Sequence, residues 1–423
     1  MSENIKISIF NSKDIEGGAA VSAFRLYQGL KKIGGIDASY IVNNKKTDFN
    51  DVISAETKFQ KLFCNLVGVI DKIPLMLYYN RQKSTWSNNY FPNIFLSSYL
   101  DRASYDIANV HWIGGGFFPV YMLNKIGKPL VFTLHDSWIF TGGCHLPLNC
   151  DNFIKGCGKC PQLNSNSKYD LSRLNLNKKH EVLSKIKRKI FVCPSNWLSK
   201  IASKSSVLKD FDIRVIPNGI DINSFRQIEK EVARKILGID LNKKIILSGA
   251  KNFISDKIKG YSLFINSINL FLDKINDSQN YEIILFGASK PVNNVELRLK
   301  TNYISYLYDE VSLRLLYSAA DIMVVPSITE NLPNTIMESL ACGTPVVAFN
   351  IGGISDLVDH KINGYLASPF DENDLVNGML WILSSDEKHY LNISNNCKTK
   401  IIKGFSLNDQ SYSYLSLFKE LLK

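Results

Sequence analysis

The stretch PSITENLPNTIMESLACGTPVVAF, residues 326–349, reads as the end of a buried strand, a loop, a helix stopped by Gly343 and a second buried strand. Pro333 is tolerated in the first helical turn, where a missing N–H has no intrahelical partner to lose. The amides of Asn334, Thr335 and Ile336 then face the preceding loop and suit a diphosphate. Glu338 lies about one turn further in, where a carboxylate can accept hydrogen bonds from two vicinal ribose hydroxyls. Glu330, in the loop, reaches a different hydroxylated group. As an isolated pair the glutamates have a plainer reading, in which both simply favour the positive end of the helix dipole.

Strand, helix and strand in this order mark a parallel α/β sheet, and the same rhythm runs outward in both directions. Lys244–Gly249, Tyr281–Phe286, 322–326 and 345–349 read as buried strands of the second half. Ile5–Phe10, 38–42, 107–111, 130–135 and 190–194 do so in the first, with a loop over 11–18 and a helix carrying Ala20, Ala23, Phe24, Tyr27 and Leu30 at helical spacing up to Gly34-Gly35. The expected fold is α/β, with two doubly wound Rossmann-like domains, 1–215 and 216–405, facing each other across a cleft, and an amphipathic helix over 406–423. Such folds bind ligands beyond the carboxyl ends of the strands.

The chain has 423 residues with 45% hydrophobic and 21% charged content, which excludes disordered, collagenous and coiled-coil classes. The longest apolar candidate, 62–79, is interrupted by Asn65, Asp71, Lys72 and Pro74, too often for a spanning helix. The N-terminus carries no basic-then-apolar leader, so the expected compartment is the cytoplasm. The net charge of +11 is uneven: 1–215 hold 29 Lys+Arg against 16 Asp+Glu, and 216–423 hold 21 against 23. This asymmetry points the first half towards a polyanion, nucleic acid or an anionic membrane surface, unless each cluster is simply a solvated face. The clusters are Lys58, Lys61, Lys178, Lys179, Lys185 and Lys187-Arg188-Lys189, beside apolar helical stretches that could lie on a membrane.

Glu330 and Glu338, followed by SLACGTPVVA, resemble the paired-glutamate motif of retaining glycosyltransferases of family four, which have the GT-B fold. IGGISDLVDHKINGYL (351–366), VIPNGID (215–221), YSAADIMVVPS (317–327) and PSNWL (194–198) resemble that family's segments in the same order, so the resemblance covers essentially the whole chain. It implies that Glu338 holds the ribose of a nucleotide-sugar donor, that Glu330 holds the donor sugar, and that Lys259 of Lys259-Gly260 pairs with the donor diphosphate. A lysine point charge also suits a leaving diphosphate on physical grounds. The family's arginine before that lysine is absent, Gly249-Ala-Lys-Asn252 standing in its place, with Lys251 or Lys257 as possible substitutes.

In the first half, Gly17 and Gly18 open a helix and can admit a phosphate or sugar, although a simple turn explains a glycine pair too. His135-Asp136 resembles the family's His-Asp pair, whose histidine faces the donor sugar, and His111-Trp112 is a candidate for the acceptor side or a packed aromatic corner. Cys144, Cys150, Cys157 and Cys160 fall within 17 positions. Cytosolic disulfides are rare, so a structural tetrahedral zinc is expected, with His145 as a further ligand candidate. The other four cysteines read as buried small hydrophobes.

The resemblance implies a transferase that moves a sugar from a nucleoside diphosphate, UDP or GDP, to a hydroxyl of a glycan or lipid-linked acceptor in bacterial surface polysaccharide assembly. It also implies retention of anomeric configuration. No Asp-x-Asp motif is present, so no catalytic metal is expected, and the expected partners include a membrane's inner face but no nucleic acid. Two alternatives stay open at this point: a nucleotide-sugar epimerase of the same fold, and a non-enzymatic polyanion or membrane binder.

Overall fold

The computed structural model describes residues 4–289, 297–305, 307 and 309–423. Its apolar runs form two sheets, each the centre of a separate unit: Met1–Asn218 with Gln410–Lys423, and Gly219–Asp409.

The first sheet has seven strands, β1 (Ile5–Lys13), β2 (Ile36–Asn44), β3 (Val52–Ile53), β4 (Ile107–Val110), β5 (Leu130–Thr133), β6 (Lys189–Cys193) and β7 (Ile213–Val215). They are all parallel, in the order β3-β2-β1-β4-β5-β6-β7. The second holds β8 (Lys244–Gly249), β9 (Tyr281–Phe286), β10 (Thr301–Ile304), β11 (Ile322–Val325), β12 (Val346–Phe349) and β13 (Gly364–Ala367). These too are parallel, in the order β10-β9-β8-β11-β12-β13. The strand order reverses between β1 and β4 in one sheet and between β8 and β11 in the other, which opens a crevice at the strands' carboxyl ends.

Period-two alternation sends neighbouring residues to opposite faces, and both faces are buried. Phe10 joins the cluster of Phe118 and Phe132, whereas Ile7 and Ile9 pack with Leu26 and Val192 on the other side. Ile245, Leu247 and Met323 likewise face one core, and Ile246, Ile322 and Val324 the other. The helix Gly18–Ile33 buries Ala20, Ala23, Phe24, Tyr27 and Leu30, as its spacing predicts. The chain's last helix, Leu407–Leu422, sets Tyr414 and Phe418 against the Ile7 and Ile9 face, where the Tyr414 hydroxyl lies 2.8 Å from Thr133 Oγ1.

Two expectations need correction. β1 does not end at Phe10 but pairs with β2 out to Lys13, so the loop expected from Asn11 starts later. Lys179, grouped above with an exposed basic cluster, is fully buried on the helix Leu171–Lys185. Among the described residues no helix is long and apolar enough to cross a membrane.

Candidate active site

In the second unit the switch point between β8 and β11 gathers the expected residues. After β8 the chain makes a turn, a short 3-10 segment Lys257–Lys259 and a left-handed Gly260 (φ +73°), then enters the helix Tyr261–Leu272. A Cβ on Gly260 would come within 1.9 Å of Pro326 O, so only glycine lets this turn seat against the end of β11. The Ile328 amide donates to Ile258 O at 2.8 Å and locks the two loops together. Lys259 Nζ consequently lies 2.7 Å from Glu330 Oε1, which also accepts from Ser327 Oγ at 3.0 Å. Burial alone would lower the Lys259 pKa, but the adjacent Glu330 carboxylate, with Asp256, more than offsets this and holds it raised.

Glu330 is fixed by its backbone as well. Its carbonyl accepts from the Gly353 amide at 3.1 Å, and a Cβ on Gly352 would lie 1.8 Å from that same oxygen. The glycine pair of 351–366 is therefore the shape that lets this segment press on the loop. Glu338 sits on the helix Asn334–Ala341, buried, and its Oε2 accepts from the Tyr317 hydroxyl at 2.9 Å. The Tyr317 ring is itself held edge-on against Phe286. Asn334 and Thr335 open the helix and are half-buried. The Ile336 amide, expected to face the loop, instead donates to Pro333 O at 3.2 Å.

In the first unit Gly17 caps the helix Gly18–Ile33 with φ +99°, and among the described residues nothing beyond its chain neighbours lies within 4 Å of where its Cβ would be. His135 follows β5 and stacks on His111, which follows β4; His135 Nε2 is 2.8 Å from His111 Nδ1. Asn109 fixes the tautomers. Its Nδ2 donates to Val131 O and Thr133 Oγ1, so its Oδ1 must accept from His111 Nε2 at 3.0 Å. His111 Nδ1 is then an acceptor, His135 Nε2 donates to it, and the His135 lone pair is on Nδ1. Burial holds both imidazoles neutral, lowering His111 well below its ordinary range and His135 to about 4.

Asp136 anchors a second network: its Oδ2 accepts from Trp112 Nε1 at 2.7 Å and lies 2.6 Å from His145 Nδ1, and its Oδ1 accepts from the Trp138 amide. Burial would raise its pKa, but His145 and these donors hold it lowered. His145 is thus engaged with a carboxylate.

The cysteines come together. Cys144, Cys150, Cys157 and Cys160, none in a disulfide, line one small cavity with Trp86 and Phe153. Burial pushes the Cys144 and Cys157 thiols up to about 12. Beside them Lys179 is buried with no carboxylate in salt-bridge range among the described residues: its ammonium bonds the Trp138 and Thr141 carbonyls and stacks over the Trp138 ring at 3.9 Å. Among the described residues, no group of three or more His, Cys, Asp or Glu side chains stands ready to hold a metal ion. Cys64, Cys193, Cys342 and Cys397 are buried, as read from their contexts.

The sequence model described as Glycosyltransferase Family 4 matches residues 16–224, and that described as Glycosyl transferases group 1 matches 229–400. The chain belongs to glycosyltransferase family 4. Among curated relatives, the Escherichia coli UDP-Gal:alpha-D-GlcNAc-diphosphoundecaprenol alpha-1,3-galactosyltransferase is 28% identical over 234 residues, 51% of this chain and 56% of that protein. The putative teichuronic acid biosynthesis glycosyltransferase TuaC of Bacillus subtilis is 26% identical over 160 residues, 37% of this chain and 38% of its own. The chain thus spans about half the length of the curated relatives it matches. Solved structures extend the likeness to the whole fold, which is GT-B. Sucrose-phosphate synthase of Thermosynechococcus elongatus superposes with a TM-score of 0.67 at 16% identity over 99% of both chains. Anabaena HepE in complex with UDP and glucose gives 0.66 at 15% over 99% and 100%.

Sequence reading missed Tyr317, Ser327 and the Asp136–His145 pairing. Tyr317 lies inside the quoted YSAAD motif, but nothing in a linear sequence says that its hydroxyl meets Glu338.

Proposed function

We propose that this chain is a retaining glycosyltransferase, moving a sugar from a nucleoside diphosphate sugar to a hydroxyl of a glycan or lipid-linked glycan acceptor in bacterial surface polysaccharide assembly. The observation that carries the reading is the Lys259–Glu330 pair at the β8–β11 switch point, with Glu338 on the helix that follows. In front-face transfer the bond from the anomeric carbon to the phosphate oxygen breaks as the acceptor oxygen bonds to the same face. The acceptor's proton passes to the leaving phosphate oxygen. Lys259 supplies positive charge to that leaving group, Glu330 orients the sugar hydroxyls, and Glu338, positioned by Tyr317, receives the ribose. His135, neutral and oriented by His111, offers a hydrogen-bonding nitrogen rather than a charge. Gly17 leaves room at the N-terminus of the helix that Gly18 opens, and the amides of Asn334 and Thr335 serve the diphosphate.

The names of the relatives support the partners. The Escherichia coli relative is named for a UDP-Gal donor and a diphosphoundecaprenol-linked acceptor, and HepE was solved with UDP and glucose. A UDP donor and a lipid-linked acceptor follow for this chain, with the protein peripheral at the inner membrane face. The N-terminal domain, 1–215 with the cysteine-rich loop 141–163, receives the acceptor, and 216–405 the donor. The cysteine loop takes a structural zinc after side-chain rotation. Four sulfurs around one cavity fit a thiolate site, and the buried Lys179 beside them would compensate the net negative charge of a zinc tetrathiolate.

Calorimetric titration with UDP, GDP and ADP on the wild type and Glu338→Ala tests the reading. Selective UDP binding that is lost in the variant is expected, together with product formation only when an acceptor is added. Release of an altered nucleotide sugar without acceptor would identify an epimerase instead. No nucleotide binding at all would remove the donor-site assignment.

A further inference from the structure

The helix Lys58–Ile70 is buried on one side only. Cys64 and Val67 face the core, whereas Phe59, Leu62, Leu66 and Val69 recur at helical spacing on the other side and are 50–69% exposed. The apolar surface continues past the helix, where Met76 and Leu77 in the following 3-10 turn are 76% and 82% exposed. Soluble surfaces scatter large apolar side chains singly; a contiguous run of this kind marks an interaction site. Its charge is one-sided. Lys58, Lys61, Lys72, Arg81 and Lys83 accompany it, and between Thr57 and Leu100 the sole carboxylate is Asp71. Asp71 is buried and bonds the Asn88 and Tyr90 amides, so it contributes nothing to the surface.

We infer that residues 58–83 form a docking surface for a lipid bilayer bearing anionic headgroups. The exposed apolar side chains enter the acyl boundary, and the lysines and Arg81 meet the phosphates. The segment is too short and too interrupted to span the bilayer, so it lies in the interface. A second copy of the chain would pair the cations against one another, whereas an anionic bilayer neutralises them all. The inference names the membrane surface for the proposed lipid-linked acceptor, but its physical basis is this face alone.

The test is co-sedimentation of the full chain with phosphatidylcholine vesicles, with and without phosphatidylglycerol, alongside UDP calorimetry and sedimentation velocity on the same preparations. Binding is expected to phosphatidylglycerol vesicles and to fall with salt. Leu66→Ser combined with Leu77→Ser should weaken it at least tenfold, and each of Lys58→Gln and Lys61→Gln about fivefold. Thermal stability and UDP affinity should not change. Equal binding by wild type and the apolar double variant overturns the inference. So does indifference to lipid charge, or a dimer that the same substitutions dissolve. Vesicle binding without UDP binding would retain this surface and remove the transferase reading; UDP binding without vesicle binding would do the reverse.

Discussion

Replacing Glu330 with glutamine should make the second unit less stable and at the same time make it hold UDP more tightly. The wild-type pair is close, 2.7 Å, and largely buried, with side-chain exposures of 24% for Lys259 and 14% for Glu330. Removing one partner leaves the buried ammonium to the weaker charge of Asp256, at a cost of about 2–4 kcal/mol. That cost corresponds to a fall in Tm of roughly 5–15 °C. The pH dependence follows from the raised Lys259 pKa. A lysine whose pKa is raised by folding contributes its full stabilisation below its unfolded value and loses it as pH rises through the folded one. In Glu330→Gln burial is opposed by the weaker charge of Asp256, so the penalty is present at neutral pH and fades as the lysine deprotonates; the Tm gap should be narrower near about pH 10 than at pH 7. The diphosphate of UDP brings negative charge to the same ammonium, and Glu330 repels it. Relief of that repulsion, on the order of 1–2 kcal/mol, should tighten UDP by about five- to thirtyfold. Differential scanning fluorimetry across pH and calorimetry at neutral pH read both effects. An unchanged Tm, or UDP affinity that falls with Tm, would refute the argument that this lysine is shared between Glu330 and the donor.

Gly260→Ala should cost at least about 2 kcal/mol and weaken UDP, because φ +73° and the approach to Pro326 O leave no place for a methyl; thermal unfolding and calorimetry check both. Tyr317→Phe keeps the ring on Phe286 but deletes the hydrogen bond to the buried Glu338, and UDP affinity should drop about tenfold with a stability loss of about 1–3 kcal/mol. Since the His135 pKa is lowered to about 4, the folded state resists protonation, and stability should be lost as pH falls from about 6.5 to about 4, by on the order of 3 kcal/mol. His135→Asn should flatten that slope in acid-denaturation curves. Zinc is expected near one equivalent by elemental analysis, lost in Cys157→Ser and held at least tenfold more weakly in Lys179→Met.

The fold was legible where strands are buried on both faces, since β11 and β12 are unbroken apolar runs and β8 and β9 carry the apolar cores Ile245–Leu247 and Ile283–Phe286. It was not legible at the edges: β3 has two residues, and β7 and β10 are part-exposed and mixed in character. A strand at the rim needs apolar side chains on one face at most, so its composition approaches that of a loop. The site followed the same division. Glu330, Glu338 and Lys259 sit in motifs whose spacing encodes a turn and a helix start, but the contact between Lys259 and Glu330 spans 71 positions and depends on Gly260 and Gly352 admitting close backbone approach. Lys179 shows the limit most clearly. Sequence places it in a basic run, and only the packing of its helix beneath the cysteine loop reveals a buried ammonium.

The return of Tyr414 and Phe418 to the first sheet bears on how the chain is made. On the ribosome the strands β1 to β7 emerge first, and the helix Gly18–Ile33 with them, yet the apolar face built by Ile7, Ile9 and Val192 receives the rest of its cover, Tyr414, Leu417 and Phe418, only after Gly219–Asp409 have been synthesised. The first unit must therefore wait, partly uncovered and exposed to misassociation, for a segment translated almost two hundred codons later. Cutting the gene at Asn218 would yield two products, of which only the second carries all the residues of its own unit's core.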